Sequence, residues 1–175
     1  MKRGEALARL AASYKRVAAI SGSHGKTSVT AMLAHILKSC GEKPGYLVGG
    51  NVTGWDFNGA AGDGGIFVCE VDESDGTHSL MKTQVAVVTN VEDDHCWSVG
   101  GVERLMENFK RFASNGERLI YVGAATPDAL FSSHPEKKRL EWDVLSSPES
   151  LPGVSKETLS SWGAYQKVNA GTAVE

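Results

Sequence analysis

Cysteine is scarce in this chain. There are three in 175 residues, Cys40, Cys69 and Cys96, odd in number and far apart. That excludes a disulfide framework and a Cys-x-x-Cys metal knuckle, and points to a reducing, cytoplasmic setting. All three read as packing residues. Long apolar runs are also missing: none approaches the ~20 residues that span a bilayer, and the N-terminal MKRGEALARL lacks the apolar core of a secretory signal. Basic charge is not in excess. A net charge of −3 argues against nucleic-acid or anionic-membrane partners. There is no internal repeat and no low-complexity tract. What is present is 41% hydrophobic and 22% charged residues, ordinary for a globular chain long enough to bury one real core.

The hydrophobic pattern changes period along the chain. Leu7, Leu10, Ala11 and Tyr14 mark a short amphipathic helix over residues 4–14. RVAAIS, GIFVCEV and VAVVTNV are continuous apolar runs, as strands buried on both faces of a parallel sheet read, and RLIYVG adds a further strand. Between them, Val29, Met32, Leu33, Ile36, Leu37 and Cys40 form one stripe of a helix over 26–40, stopped by Gly41. Residues 102–114 form another, with Leu105, Met106, Phe109 and Phe112 on one face. KPGYLVGG reads as a short strand or turn, and the glycine-rich stretch after it as a long functional loop. Residues 124–161 hold four of the five prolines and have no clear period. Alternating strands and helices predict a single α/β domain of P-loop type, a mostly parallel sheet with helices on both faces. Ligands then bind beyond the carboxyl ends of the strands.

Three polar clusters follow three of these strands. The first is the loop Gly22, Ser23, His24, Gly25, Lys26, Thr27 and Ser28. Gly22 and Gly25 permit a tight turn, and the first amides of the following helix form an anion site. Lys26 supplies a mobile cation for phosphate and the Thr27 hydroxyl a Mg²⁺ ligand. The common P-loop spacing would place a glycine at Ile20, so this loop is shorter. The second cluster, EVDESD, sets Glu70, Asp72, Glu73 and Asp75 within six residues. Such like charges repel unless a cation sits among them, and hard oxygens suit Mg²⁺. Glu70, directly after an apolar strand, is the metal candidate; Glu73, and Asp72 with it, fits a solvated acidic turn. The third, TNVEDDHCW, ends on His95, which can complete a metal shell or move a proton with Asp94 orienting its ring. His24 either contacts phosphate or shapes the turn. His35, off the helix stripe, and His78 and His134, in loops, carry no role.

Together, GSHGKTS, EVDESD and VVTNVEDDH resemble the three successive motifs of the Mur ligase superfamily, the ATP-dependent peptide ligases of cell-wall precursor synthesis. His24 and the DESD stretch resemble the branch that joins L-alanine to UDP-N-acetylmuramate. The resemblance covers most of residues 1–123. It implies that Lys26 binds the β/γ-phosphates of ATP, that Thr27 and Glu70 hold one Mg²⁺, and that Glu70 and His95 hold a second. Lys26, Glu70 and His95 would thus be catalytic, Gly22 to Ser28 and Asn90 would hold the nucleotide, and Asn58, Ser74 and Asp75 would face the UDP-sugar carboxylate. AYQKVNA resembles the family's adenine-contacting helix start, with Tyr165 and Gln166 in place of His and Asn, so Gln166 is the adenine candidate. The family has three domains, and residues 1–175 resemble the central one. The chain is expected to be truncated within its last helix, with a shortened stretch before it, and to be unable to ligate alone. Two alternatives stay open: another Mur-type ligase acting on a different carboxylate, and a divergent nucleotide-binding or scaffold module.

Overall fold

The computed structural model describes residues 1–93, 96–147, 151 and 154–175. Its strands are β1 (Arg16–Ser21), β2 (Gly45–Leu47), β3 (Gly59–Ala60), β4 (Ile66–Glu70), β5 (Thr83–Val88), β6 (Gly116–Val122) and β7 (Lys137–Leu140). They form one sheet in the order β3-β2-β4-β1-β5-β6-β7. Every pairing is parallel except β2 with β3, where Tyr46 faces Ala60 at the edge. The first strand therefore lies at the centre, and the order reverses around it, the place where a parallel sheet opens a ligand crevice.

Alternation along the strands distributes side chains to two cores. Val17, Ala19, Phe67, Cys69, Ala86, Val88, Leu119 and Tyr121 point to one face. There they meet α1 (Arg3–Ala11), α4 (Val102–Ser114) and α5 (Ala125–Phe131) through Ala11, Leu105, Phe109, Phe112 and Phe131. Ile20, Val68, Val87 and Ile120 point to the other face and meet α2 (Lys26–Ser39) and α8 (Ala164–Val174) through Val29, Ala34 and Ala173. Helices on both faces of a mostly parallel sheet is the architecture the apolar runs predicted. The short helices α3 (Cys96–Val99), α6 (Trp142–Ser146) and α7 (Lys156–Ser161) and one 3-10 turn (Thr77–Leu80) complete the elements of the described residues.

Several expectations change. The described residues of 124–161 contain β7 and three helices; the strand escapes a sequence reading because KKRL, with three exposed residues at the sheet edge, carries no strand signature. The helix that begins at Ala164 packs against the body of the fold. Val168, Ala170, Gly171, Thr172 and Ala173 are buried, and a Cβ at Gly171 would lie 2.6 Å from the Leu145 side-chain tip of α6, so a larger residue there would require Leu145 to shift. Cys40 is exposed at the end of α2, whereas Cys69 is buried in the sheet, where burial pushes its thiol pKa up and leaves it inert. His78 and His134 are both buried, His134 in a loop as expected and His78 in a short 3-10 turn, Thr77–Leu80. The His78 ring lies 4.7 Å from Phe109 and 5.9 Å from Phe112, centroid to centroid, with neither nitrogen hydrogen-bonded to a described residue.

Candidate functional site

The loop between β1 and α2 takes its shape from the loop after β5. The Asn90 side chain accepts the His24 N–H through Oδ1 at 2.8 Å and donates through Nδ2 to the His24 carbonyl at 3.3 Å. Thr89 Oγ1 donates to the same carbonyl at 2.5 Å. Ser23 donates its N–H to the Asn90 carbonyl, and its Oγ accepts the Glu92 N–H at 3.0 Å. The two glycines answer to this fit. Gly22 has φ +132° and a Cβ there would stand 2.2 Å from Thr89 Oγ1. Gly25, the N-cap of α2, has φ +84° and a Cβ there would stand 2.6 Å from Asn169 Oδ1. The result is a rigid turn whose exit is the amino end of a 14-residue helix. The first-turn N–H groups of such a helix have no intrahelical acceptor and attract anions.

Lys26, the first residue of α2, is not a mobile cation. Its Nζ donates to the Gly22 carbonyl at 2.6 Å, to the Ser23 carbonyl at 3.4 Å and to Glu73 Oε1 at 3.1 Å. Glu73 is accordingly not a solvated acid. Its side chain is 2% exposed and that of Lys26 14%. A buried carboxylate requires a partner, and the loop after β4 folds Glu73 inward toward Lys26. Asp72 and Asp75, by contrast, stay at the surface and share Arg3 of α1, at 3.3 and 3.2 Å. Burial acts to raise the Asp72 pKa, but hydrogen bonds from Ser74 and the charges of Lys26 and Arg3 outweigh it and hold the carboxyl below its ordinary value.

Glu70 ends β4 and accepts the Gly49 N–H through Oε2 at 2.8 Å. A Cβ at Gly49 would touch the Glu70 carboxylate at 2.5 Å, and one at Gly50 would lie 3.5 Å from the Thr27 methyl. Glu70 and Thr27 thus flank a single Gly-Gly dipeptide. Glu70, Asp72 and Asn58 line a cleft of about 510 Å³ walled by α1 and by Leu47–Gly49. Asn58 Nδ2 donates to the Val48 carbonyl at 3.1 Å, so it braces the cleft wall. Ser74 donates its N–H to Asp72, and Asp75 accepts the Thr77 N–H. Neither Ser74 nor Asp75 lines this cleft. Asp94 and His95 lie outside the described residues. Among the described residues no group of three His, Cys, Asp or Glu side chains is placed to hold a metal ion.

On the other side of the phosphate-type loop is a pocket of about 240 Å³, lined by His24, Gly25, Ser28 and Asn90 and, from the far end of the chain, by Trp142, Tyr165 and Asn169. Trp142 and Tyr165 meet edge to face at 5.0 Å. Gln166 does not line it; its Oε1 accepts the Gly163 N–H at 2.8 Å and caps α8. The residue reaching the loop is Asn169, one turn further along. The available signal was its i+3 spacing from Gln166, which puts both on one helix face.

A family model described as the Mur ligase middle domain matches residues 20–132. The chain belongs to the Mur ligase family. It is 38% identical over 144 residues to a UDP-N-acetylmuramate–L-alanine ligase of Syntrophomonas wolfei, covering 80% of this chain and 31% of that protein. With the same-named ligase of Renibacterium salmoninarum it shares 47% over 112 residues, 64% of this chain and 24% of that one. Among solved structures, the UDP-N-acetylmuramate–alanine ligase of Thermotoga maritima superposes with a TM-score of 0.64 at 26% identity, over 78% of this chain and 31% of that one. The UDP-N-acetylmuramate:L-alanyl-γ-D-glutamyl-meso-diaminopimelate ligase of Neisseria reaches 0.78 at 17% identity, a likeness of fold, over 97% of this chain and 63% of that one. The match thus spans 24–31% of these alanine ligases' length. It is a Mur ligase middle domain similar to those of alanine-adding enzymes of peptidoglycan synthesis.

Proposed function

We propose that this middle domain binds ATP and Mg²⁺ for an ATP-dependent amide-forming ligase that joins L-alanine to UDP-N-acetylmuramate. In that reaction the γ-phosphoryl group passes to the sugar carboxylate, and the amine of alanine displaces phosphate to give the amide, with ADP as the other product. The observation that carries the reading is the convergence at one rim of the glycine loop, the Lys26–Glu73 pair and the Glu70–Gly49 contact. The site residues assume roles that follow from position. Loop amides and the α2 amino end hold phosphate oxygens. Lys26 Nζ offers a fixed positive charge at the mouth of the loop, where charge on a transferring phosphoryl group needs neutralising. Asn90 and Thr89 keep the turn from relaxing. Trp142, Tyr165 and Asn169 offer the neighbouring pocket to a nucleobase.

The donor set on this rim suits Mg²⁺. Thr27 and Glu70 are hard oxygen ligands flanking one dipeptide, and among the described residues the Glu70 carboxylate accepts a hydrogen bond only from a backbone amide. When bound, Mg²⁺ would supply charge neutralisation across adjacent phosphate oxygens. Glu70 and Asn58 in the adjoining cleft fit a polar, carboxylate-bearing substrate. The 175 residues by themselves are expected not to ligate.

The direct test is titration of a non-hydrolysable ATP analogue with Mg²⁺. Saturable binding by the wild type, weakened at least about tenfold in a charge-neutral Lys26→Met/Glu73→Gln variant, is the expected result, since such a change removes one strong charge-assisted contact. The pairing matters, because Lys26→Ala alone would leave Glu73 buried without a partner. A second reading, a module that no longer handles nucleotide, is favoured by the diversion of Gln166 to the α8 cap. Negligible binding by both proteins would support it.

A further inference from the structure

A lysine ammonium has three protons to donate and can accept none. Lys26 has already placed all three: on the Gly22 carbonyl, the Ser23 carbonyl and Glu73. Glu73 in turn has Lys26 as its only ion-pair partner among the described residues, although its side chain is 2% exposed. Its second oxygen, Oε2, lies 2.9 Å from Nζ but off the line of a hydrogen bond, and makes none with any described residue. If Lys26 swung out toward a ligand, it would strand a buried carboxylate. Burying an unpaired charge is far costlier than exchanging one backbone carbonyl for another acceptor. The ammonium is therefore free to exchange only its two carbonyl contacts.

We propose that Glu73 is a positioning residue that latches Lys26, so that an incoming polyphosphate replaces the Gly22 and Ser23 carbonyls while the Lys26–Glu73 pair stays closed. The proposal rests on the nucleotide reading above. It assigns two effects to one carboxylate. Glu73 fixes where the positive charge stands, and it offsets part of that charge, so the loop holds polyphosphate less tightly in the resting complex than a bare lysine would. Asp72, also close enough to feel Lys26, lies at the surface and cannot replace it.

The experiment compares the wild type with Glu73→Gln, which keeps the shape and removes the charge. Binding of the Mg²⁺ complex of a non-hydrolysable ATP analogue is measured by titration. The latch predicts tighter binding by Glu73→Gln, on the order of tenfold, about what one unit charge a few ångströms away contributes under water-like screening at the open mouth of the loop. A purely architectural role would weaken binding instead, and unchanged or weaker binding by a folded Glu73→Gln protein overturns the proposal. In parallel, amine acetylation followed by peptide mass analysis reads the latch in the wild type without any ligand. Lys26 should react far more slowly than the exposed Lys15 and Lys110, and equal rates overturn the proposal even if Glu73→Gln fails to fold. If the wild type binds no nucleotide but Lys26 is still protected, the nucleotide reading fails and the latch itself stands.

Discussion

At the phosphate-type loop, Asn90, Thr89 and Glu73 direct their polar groups at His24 and Lys26, so the loop is held from behind by the two neighbouring strand ends. In the pocket on its far side, Asn169 has a side-chain amide with no hydrogen bond to any described residue, and the walls are two aromatic rings, one of them, Tyr165, 67% exposed. One half of the rim is preorganised and the other is open. The difference follows from where the residues come from. The loop is fixed by contacts that the sheet register imposes between β1, β4 and β5. The pocket is closed by α6 and α8, which reach it from the end of the chain.

That contrast can be broken most forcefully at Lys26. Lys26→Ala should cost about 3–5 kcal/mol of stability, because it strands a buried carboxylate, and Lys26→Met/Glu73→Gln should recover most of the loss. Urea denaturation of the three proteins checks it; a loss below about 1 kcal/mol, as for an exposed pair, would mean the loop is not preorganised by this pair.

The next largest effect is acid lability behind the acidic cluster. His78 donates its backbone N–H to the Asp72 carbonyl, and its ring is buried against Phe109 and Phe112. Desolvation pushes its pKa down from 6.5 to about 4, against the pull of Asp72 and Asp75. The folded state then binds fewer protons than the unfolded state between those two values. Stability is complete above pH ~6.5 and falls as the pH drops toward about 4, by about 3 kcal/mol in total. Denaturation midpoints across that window check the slope, and His78→Leu should flatten it.

Gly22→Ala comes third. A side chain at φ +132°, 2.2 Å from Thr89 Oγ1, should cost about 2–3 kcal/mol and abolish analogue binding by opening the loop. Asn169→Ala should behave oppositely, leaving stability within about 0.5 kcal/mol while weakening nucleotide affinity by about 1 kcal/mol, several-fold, the value of one net hydrogen bond. If Asn169→Ala destabilised the protein as much as Gly22→Ala, the two halves of the rim would not differ in the way described.

How far the sequence was legible follows the same division. RVAAIS, GIFVCEV and VAVVTNV announce β1, β4 and β5 because strands buried on both faces need unbroken apolar runs, and 26–40 and 102–114 announce helices because one face of each is apolar. The loop and its flanking acids lie in consecutive residues, so their chemistry can be read locally. Glu73 was misjudged because charge alone does not reveal which member of an acidic run turns inward; that depends on Lys26, 47 positions away. Asn169 and Trp142 were missed for the same reason. Their place on the pocket wall exists only once α6 and α8 pack beside α2, and the edge strand β7 that leads into α6 carries three exposed polar residues.

The central claim is that the rim formed by the loop, the acids of the β4 end and Asn169 is a nucleotide site. Backbone amide mapping by nuclear magnetic resonance during titration with the Mg²⁺ complex of a non-hydrolysable ATP analogue tests it most directly. Saturable shifts should concentrate on Gly22 to Ser28, Gly49, Asn90 and Asn169, and spare the opposite end of the sheet around Gly116 and His134. No saturable shifts, or shifts centred on that opposite end, would contradict it.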